Sequence, residues 1–494
     1  MKLDCAETLS HSVAGAEQGA VIAGKTGGAW RLALRIAFGA LILAYALRFT
    51  LPSLEAGFNG DDPMNIHYYW WRGAGQLLRN LPLFFTTYQR PMGGVYFSLL
   101  YHFFGLNPLP YHVVLVFLLV LNTFLAYRFG RLISGSELTG GLTALVVAYH
   151  ARLAPLVYLP AFVFDVLCFT FYFLAFTYYL SRRNGGGRLA WKQTGLFLVL
   201  YICALDSKEM AVTLPVMILI YEAIWHPPSG FSFRAAARWL RTGALPAMLA
   251  GALTALYIVG KFSGSDSLVK VEGYRPVLSW SRYWESTTRF VNTILYTPNE
   301  DLFGAVGVVL LAAVLFRAAR VSGQKHLLLM SFFIWIAPLP VTFLPGRGGA
   351  NLYIPLAGWA VILVTFFLCL CRAFARSRIG LVALVLLGMW SWWRWTESQD
   401  RVAWTGIRKA DQLTWSVMQQ VRTMMPKVKP GSRIYVVRDP FGDWEMKFII
   451  DLVYRDRSIA VWLENEVPLP REEVRKMDYV LTFEGDRLVR LKGL

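Results

Sequence analysis

Charged residues are scarce in this chain. Asp, Glu, Lys and Arg make up 16% of its 494 residues, whereas hydrophobic residues make up 56%. Soluble globular domains carry about 25% charged residues, so this composition argues against an ordinary soluble protein. Apolar runs of about 18 to 22 residues recur along the first four-fifths of the sequence, and each could cross a roughly 30 Å hydrocarbon core as a helix. We therefore expect an all-α polytopic membrane protein in a lipid bilayer.

Sequence patterns for nucleotides, zinc and disulfides are also missing. No glycine-rich loop of the P-loop or Rossmann kind is present, so the use of a soluble nucleotide is not indicated. The spacing of the histidines does not predict a zinc site; those considered are His67, His102, His112 and His150. Four of the five cysteines fall inside apolar spans, and none lies in residues 397–494, so no disulfide framework is predicted.

The net charge of +18 is distributed unevenly. Residues 397–494 contain 17 basic and 15 acidic residues, so nearly all of the excess belongs to the apolar part of the chain. An excess of Lys and Arg in the short loops of a membrane protein marks their cytoplasmic side. The basic balance therefore indicates membrane topology, and no nucleic acid is expected as a partner.

Eleven membrane crossings are predicted from the apolar runs. They lie near 30–51, 108–127, 138–156, 160–180, 190–206, 209–226, 239–260, 300–316, 327–345, 352–371 and 379–396. With this count, six clusters of Lys and Arg in short loops all fall on one side, which fixes the orientation. We expect a cytoplasmic N-terminal tail (1–29) without a cleavable signal peptide, a transmembrane domain (30–396), and the C-terminus outside the plasma membrane.

Two long loops are expected on the outer side, at 52–107 and 262–301. Within the first loop, Pro91–Gly105 is apolar but too short to cross, so we expect a helix that lies on the membrane surface. The aromatic residues of Asn65–Leu78 indicate a second interfacial helix. After the last crossing, residues 397–494 have the pattern of a small soluble α/β domain.

Acidic residues at two positions are candidates for chemistry. Asp61 and Asp62 follow the first span in GFNGDDPMN, where they could supply a general base and a partner that orients the acceptor. The alternatives are a helix cap and a divalent cation bound by the pair. Asp165 lies just inside the outer end of the fourth span, where a carboxylate needs a partner or a polar cavity.

Basic residues on the outer side run against the cytoplasmic bias of the rest. Arg90 and Arg347 are candidates for holding a phosphate, with glycines on both sides of Arg347 that allow close backbone approach. The alternative is that these arginines reach lipid headgroups. Lys208 and Glu209 lie in the turn between the fifth and sixth spans, and such a turn is equally typical of a solvated surface.

The order of these segments resembles the membrane-embedded glycosyltransferases of the GT-C superfamily. The nearest branch is the protein O-mannosyltransferase-like and aminoarabinose-transferase-like one. The resemblance covers roughly residues 30–226, and beyond them only the topology and the region 347–353 support it. The matching segments, in chain order, are the acidic pair Asp61-Asp62, Arg90-Pro91 with the helix that follows up to Tyr111-His112, Asp165, and Lys208-Glu209 with Thr213-Leu214-Pro215.

The resemblance implies a polyprenyl-phosphate sugar donor and an acceptor that is a protein, a lipid or a glycan. In the inverting branch, one displacement occurs at the anomeric carbon. Asp61 or Asp62 would take the proton of the acceptor, while Lys208 and Arg347 would stabilise the departing lipid phosphate.

The remaining roles and rival functions complete the hypothesis. Arg90 and Tyr353 would help to bind the donor phosphate, Asp165 would be a second acidic position among the catalytic residues, and Glu209 would support the Lys-Glu turn. No cofactor is implied with certainty, because members of the superfamily differ in their need for a metal.

The rival functions are a flippase or transporter of lipid-linked glycans, which would use the same charges to guide a headgroup, and a non-catalytic scaffold.

Overall fold

The computed structural model describes residues 26–85, 90–185, 187–230, 232–263, 267, 270, 272–297, 304–441 and 445–491. Most of the predicted N-terminal tail and parts of the predicted loop 262–301 lie outside these residues. The helices of the first half are α1 (Thr26–Thr50), α2 (Asp61–Trp70), α3 (Ala74–Arg79), α4 (Pro91–Phe104), α5 (Leu109–Ser134), α6 (Glu137–Ala148), α7 (Pro155–Tyr158), α8 (Val163–Arg183), α9 (Trp191–Leu205) and α10 (Leu214–Trp225). They are followed by α11 (Phe233–Thr242), α12 (Leu245–Ser263), α13 (Trp280–Ile294), α14 (Ala305–Ser322), α15 (Lys325–Ile336), α16 (Leu339–Thr342), α17 (Tyr353–Phe374), α18 (Arg378–Met424), α19 (Glu445–Tyr454) and α20 (Arg471–Val474).

Seven segments of the described chain are long and apolar enough to cross a membrane. They are Arg35–Glu55, Leu109–Ser134, Pro160–Arg183, Leu245–Ser263, Ala305–Ser322, Lys325–Thr342 and Gly349–Phe374. The helices therefore support an all-α polytopic membrane protein, but by length and composition they do not reach the eleven crossings expected from the sequence.

The other four expected spans differ from these seven in length or in the sequence that their helix contains. Helices α6 and α10 contain 12 residues each and α9 contains 15, which is about 18–22 Å at about 1.5 Å per residue. Helix α6 stops at Ala148 because Tyr149 and His150 take extended backbone angles. The last expected span is not a separate element, since α18 continues for 47 residues from apolar into charged sequence.

Helix α8 occupies the centre of the bundle, and its side chains are buried along almost the whole of its length. Aromatic rings fill the space around it: the Phe173 ring lies 4.8 Å from that of Phe129 on α5, and the Phe169 ring stacks at 4.2 Å on that of Tyr353 on α17. Offset and edge-on contacts of this kind add to the dispersion energy of a close-packed core. The middle of α8 is therefore packed closely against α5 and α17.

The C-terminal region forms a four-stranded sheet of β1 (Arg433–Val437), β2 (Ala460–Leu463), β3 (Tyr479–Glu484) and β4 (Arg487–Arg490). The strand order is β2-β1-β3-β4; β1 runs parallel to β2 and β3, and β4 is antiparallel to β3. Parallel neighbours need a crossover, and α19 supplies it between β1 and β2. The sheet confirms the α/β pattern that the sequence predicts for the C-terminal residues. The boundary expected at 397 lies inside α18, so the helix joins the bundle to the sheet without a break.

Candidate functional site

The acidic pair begins helix α2, and its two members have different surroundings. Gly60 has φ +53°, a conformation that suits glycine, and it turns the chain so that both acids lie in the first helical turn. Asp61 is exposed. Asp62 is fully buried, and its carboxylate accepts hydrogen bonds from the backbone N–H of Asn59 at 2.8 Å and of Ala161 at 2.5 Å. Asp62 therefore ties the first loop to the turn before α8.

Burial raises the pKa of Asp62 well above its ordinary value, because the charged carboxylate loses its hydration. The two backbone N–H groups oppose this effect, whereas the nearby carboxylates of Asp61 and Glu445 add to it. The carboxylate oxygens of Asp62 are already engaged with the backbone. Of the two candidates that the sequence left open, Asp61 is the one whose side chain is exposed to solvent.

Four charged side chains from distant parts of the chain form a row of alternating sign, which we call the charge quartet: Asp165, Lys208, Glu209 and Arg90. The Lys208 ammonium lies 2.7 Å from each carboxylate oxygen of Asp165, and both side chains are buried. The Arg90 guanidinium donates through Nη2 to both oxygens of Glu209, at 2.9 and 2.8 Å. The quartet has no net formal charge, which is how such charges are accommodated in a poorly hydrated interior.

Short local elements bring the quartet together. Lys208 and Glu209 are adjacent, and the extended backbone of Lys208 lets the two side chains reach different partners. Asp165 lies in the first turn of α8, and Arg90 directly precedes Pro91 at the start of α4. The Arg90 guanidinium also lies 5.4 Å from the ring of Phe164, the neighbour of Asp165. The start of α8 is thus the common support for the quartet and, through Ala161, for Asp62.

Arg347 contacts the segment around Tyr274, which precedes helix α13. Its guanidinium lies 4.3 Å from the ring centre of Tyr274, and its Nη2 donates to the carbonyl of Gly273 at 3.2 Å. Among the described carboxylates, none lies within 4 Å of a charged nitrogen of Arg347. Its positive charge is therefore less compensated than that of Arg90 or Lys208.

Tyr353 has a different environment from Arg347, although only a short turn separates them. The ring of Tyr353 is buried against Phe169, one helical turn beyond Asp165 on α8. The structure places Tyr353 in the aromatic packing of the bundle, and Arg347 on the ring of Tyr274.

A further cation, Lys261, was not predicted from the sequence. It is buried near the end of α12, and its ammonium lies 4.8 Å from the ring centre of Tyr257. Arg90 and Glu209 both act on it electrostatically, so it belongs to the same region. The close approach of α12 to Phe85 in the first loop depends on Gly260, because a Cβ at this position would lie 1.4 Å from the carbonyl oxygen of Phe85. The signal was available: like Arg90 and Arg347, Lys261 is a basic residue on the side predicted to have few.

The C-terminal region packs on the first loop beside the acidic pair. The imidazole Nε2 of His67 on α2 lies 2.8 Å from a carboxylate oxygen of Asp451 on α19. The Tyr101 hydroxyl of α4 donates to the carbonyl of Leu452 at 2.5 Å. At the start of α19, Glu445 is close enough to Asp62 to raise its pKa. No sequence signal predicts these contacts, because more than 300 residues separate the partners.

Two further findings concern the possible metal site and the comparisons with known proteins. Within the described residues, no group of three or more His, Cys, Asp and Glu side chains is placed to hold a metal ion. A cation bound by Asp61 and Asp62 would have to reach the buried carboxylate of Asp62, of which each oxygen accepts a backbone N–H. No protein-family model matches the chain, and no curated protein matches it.

Proposed function

We propose that this protein is a glycosyltransferase of the plasma membrane. It transfers a sugar from a polyprenyl-phosphate donor to an acceptor on the outer face, and Asp61 acts as the general base. The observation that carries the proposal is the meeting of Asp62, Asp165, Arg90 and the Lys208-Glu209 turn at the start of α8. These are the segments on which the GT-C resemblance rests, and they come from different parts of the chain.

The proposed reaction breaks the bond between the anomeric carbon and the phosphate oxygen of the donor. The acceptor forms a new bond to that carbon, its proton passes to Asp61, and the polyprenyl phosphate leaves with the electron pair. An exposed carboxylate in the first turn of a helix can meet an acceptor without rearrangement of the core. Asp62 supports the loop, since the backbone occupies its carboxylate.

The leaving phosphate requires positive charge that internal carboxylates do not already balance. Arg347 meets this requirement best, because its described contacts are an aromatic ring and a carbonyl oxygen. Arg90 can take part as well: among described partners, Glu209 engages only its Nη2. Lys208 is bound to Asp165 on both oxygens, so we assign it to the positioning of the turn and to the field at the phosphate.

The proposed topology has eleven crossings, with the N-terminus in the cytoplasm and the C-terminal α/β region outside. Helices α6, α9 and α10 cross together with the short turns next to them, and the first part of α18 makes the last crossing. This arrangement is the one that keeps all six basic clusters on the cytoplasmic side. It places the first loop, the quartet and the sheet on the same outer face.

The test is sugar transfer in proteoliposomes from a panel of radiolabelled polyprenyl-phosphate sugars, with candidate acceptors. We expect Asp61→Asn to lower transfer by about 10²–10⁴-fold, the usual contribution of a general base. Asp62→Asn should keep most of the activity. Glu55→Gln is the matched control, because Glu55 is an exposed carboxylate at the start of the same loop, and it pairs with Arg408 at 3.0 Å.

The same assay separates the rival functions. Full activity of a well-folded Asp61→Asn protein would refute the assignment of the base. Movement of a fluorescent lipid-linked sugar across the bilayer without transfer, dependent on Arg90 and Arg347, would instead establish a flippase. Neither transfer nor movement would favour a scaffold that uses the C-terminal region for partners.

A further inference from the structure

A cavity lies far from the charge quartet, between helices α1, α5 and α6. Its volume is about 620 Å³, within the range of about 300–1,000 Å³ that is typical of ligand pockets. It runs along the C-terminal half of α5 from Val120 to Arg131. Arg131 is twenty residues beyond Tyr111, or about 30 Å along the helix. Tyr111 packs against α4, so the cavity and the quartet lie at opposite ends of α5.

The cavity has an apolar body and a charged mouth. Its walls include Phe38 and Ile42 of α1 and Phe124 of α5. At the mouth, Arg35 Nε lies 2.9 Å from one carboxylate oxygen of Glu137, and Arg131 Nη2 lies 3.6 Å from the other. Two guanidinium groups share a single carboxylate, so the mouth has one positive charge in excess. All three side chains are accessible to solvent.

Glycines explain why this space is held open. Helix α6 packs closely on α1, since a Cβ at Gly141 would lie 2.1 Å from the Phe38 ring, and on α5, since a Cβ at Gly140 would lie 2.7 Å from the carbonyl of Tyr127. At Gly39 of α1, in contrast, an added Cβ would meet nothing within 4 Å. The helices are therefore tightly joined through α6, while the side of α1 at Gly39 borders an unfilled space.

We propose that this cavity binds one anionic phospholipid, with its phosphate between Arg35 and Arg131 and one acyl chain along Phe38, Ile42 and Phe124. The single excess charge of the mouth matches a phosphodiester, and arginine is suited to hold two phosphate oxygens at once. The basic loops at this end are those that the charge bias assigns to the cytoplasm, where anionic lipids attract them. The site does not depend on the proposed glycosyltransferase activity.

The experiment is native mass spectrometry of the delipidated full-length protein, titrated with phosphatidylglycerol or with zwitterionic phosphatidylcholine of the same chains. The wild type should bind one phosphatidylglycerol at least about tenfold more tightly than phosphatidylcholine, a difference of about 1.4 kcal/mol. Arg131→Gln should remove most of that preference. Glu137→Gln should strengthen it, because the competing carboxylate is lost.

Filling the cavity gives a test that does not alter the charges. Gly39→Phe should abolish the binding of the first phosphatidylglycerol. Gly195→Phe is the matched control, because Gly195 is an exposed glycine of α9 whose added Cβ also meets nothing within 4 Å. Equal binding of the two lipids by the wild type, or wild-type affinity of the Gly39→Phe protein, would overturn the proposal. Weaker binding by Glu137→Gln would also contradict it.

Discussion

Each end of helix α8 carries a buried ion pair, and the two pairs differ in the groups that surround them. At the C-terminal end, Arg183 donates to both oxygens of Glu222, at 2.7 and 2.5 Å, and the Tyr179 hydroxyl adds a third bond at 2.8 Å. Glu222 has no exposed surface. At the N-terminal end, the pair of Asp165 and Lys208 continues into Glu209 and Arg90, and the exposed Asp61 lies nearby in the first loop.

The difference between the ends suggests a division of labour. A saturated pair enclosed by protein is suited to joining helices, because every polar atom is satisfied within the core. A row of alternating charges beside an accessible loop can respond to an incoming charged group. We therefore assign the C-terminal pair to stability and the quartet to the proposed chemistry, and the experiments below test this contrast.

Removal of one partner from either pair should have the largest effect on stability. Lys208→Met leaves the carboxylate of Asp165 buried without its cation, and Arg183→Met does the same to Glu222. Each change should lower the free energy of unfolding by about 3–5 kcal/mol, as is usual when a buried pair is broken. Titration of the purified protein with SDS, followed by circular dichroism, measures the loss. A small loss for Arg183→Met would show that the C-terminal pair does not join the helices as described.

Removal of both partners should separate the two roles. Two double variants leave no unpaired charge: Asp165→Asn with Lys208→Met, and Arg183→Met with Glu222→Gln. In each of them, most of the lost stability should return. We expect transfer activity to fall by about 100-fold or more only in the first double variant, because only that end supports the field at the phosphate. If the second double variant were stable and equally inactive, the contrast between the ends would fail.

The pH dependence of stability should reveal Asp62, which is bound to the N-terminal end through Ala161. The pKa of Asp62 is raised in the folded protein, so protonation of Asp62 favours the folded state. The contribution of this shift to the free energy of unfolding is complete below the unfolded pKa of about 4, and it is lost as the pH rises through the folded pKa. The stability of Asp62→Asn relative to wild type should therefore increase with pH. The limiting slope is about 1.4 kcal/mol per pH unit. SDS titrations between pH 4 and about pH 8 test this, and a constant difference would mean that the pKa of Asp62 is not raised.

The smallest expected effect concerns the C-terminal region, which packs on helices α2 and α4 of the first loop. His67→Gln or Asp451→Asn removes a partly exposed pair, which is worth about 0.2–1 kcal/mol. We expect faster hydrogen exchange in α2 and α19, with no change at Tyr179 or Glu222. Lys447→Gln is the control, because Lys447 is on the same helix but pairs with Glu466 within the C-terminal region. Equal acceleration in this control would argue against a specific contact at His67.

Local patterns were sufficient to predict several elements. The apolar runs predict the seven long segments, and alternation with turn residues predicts the strands around Val436 and Val480, because both signals come from side chains within a few residues of each other. For the four other expected spans, the apolar runs did not predict where the helices begin and end. Hydrophobicity does not reveal the extended backbone at Tyr149, nor that α18 continues past the end of the apolar sequence.

The sequence by itself determined the class of protein and which charged residues stand out, since an acid or a base in an apolar context is conspicuous. Only the tertiary structure decided their partners: Lys208 with Asp165, Glu209 with Arg90, and Asp62 with the backbone of Ala161. It also added Lys261 to the region and brought α19 against α2. The physical reason is that a buried charge must find an opposite charge or a hydrogen bond, and which group supplies it depends on how the helices pack.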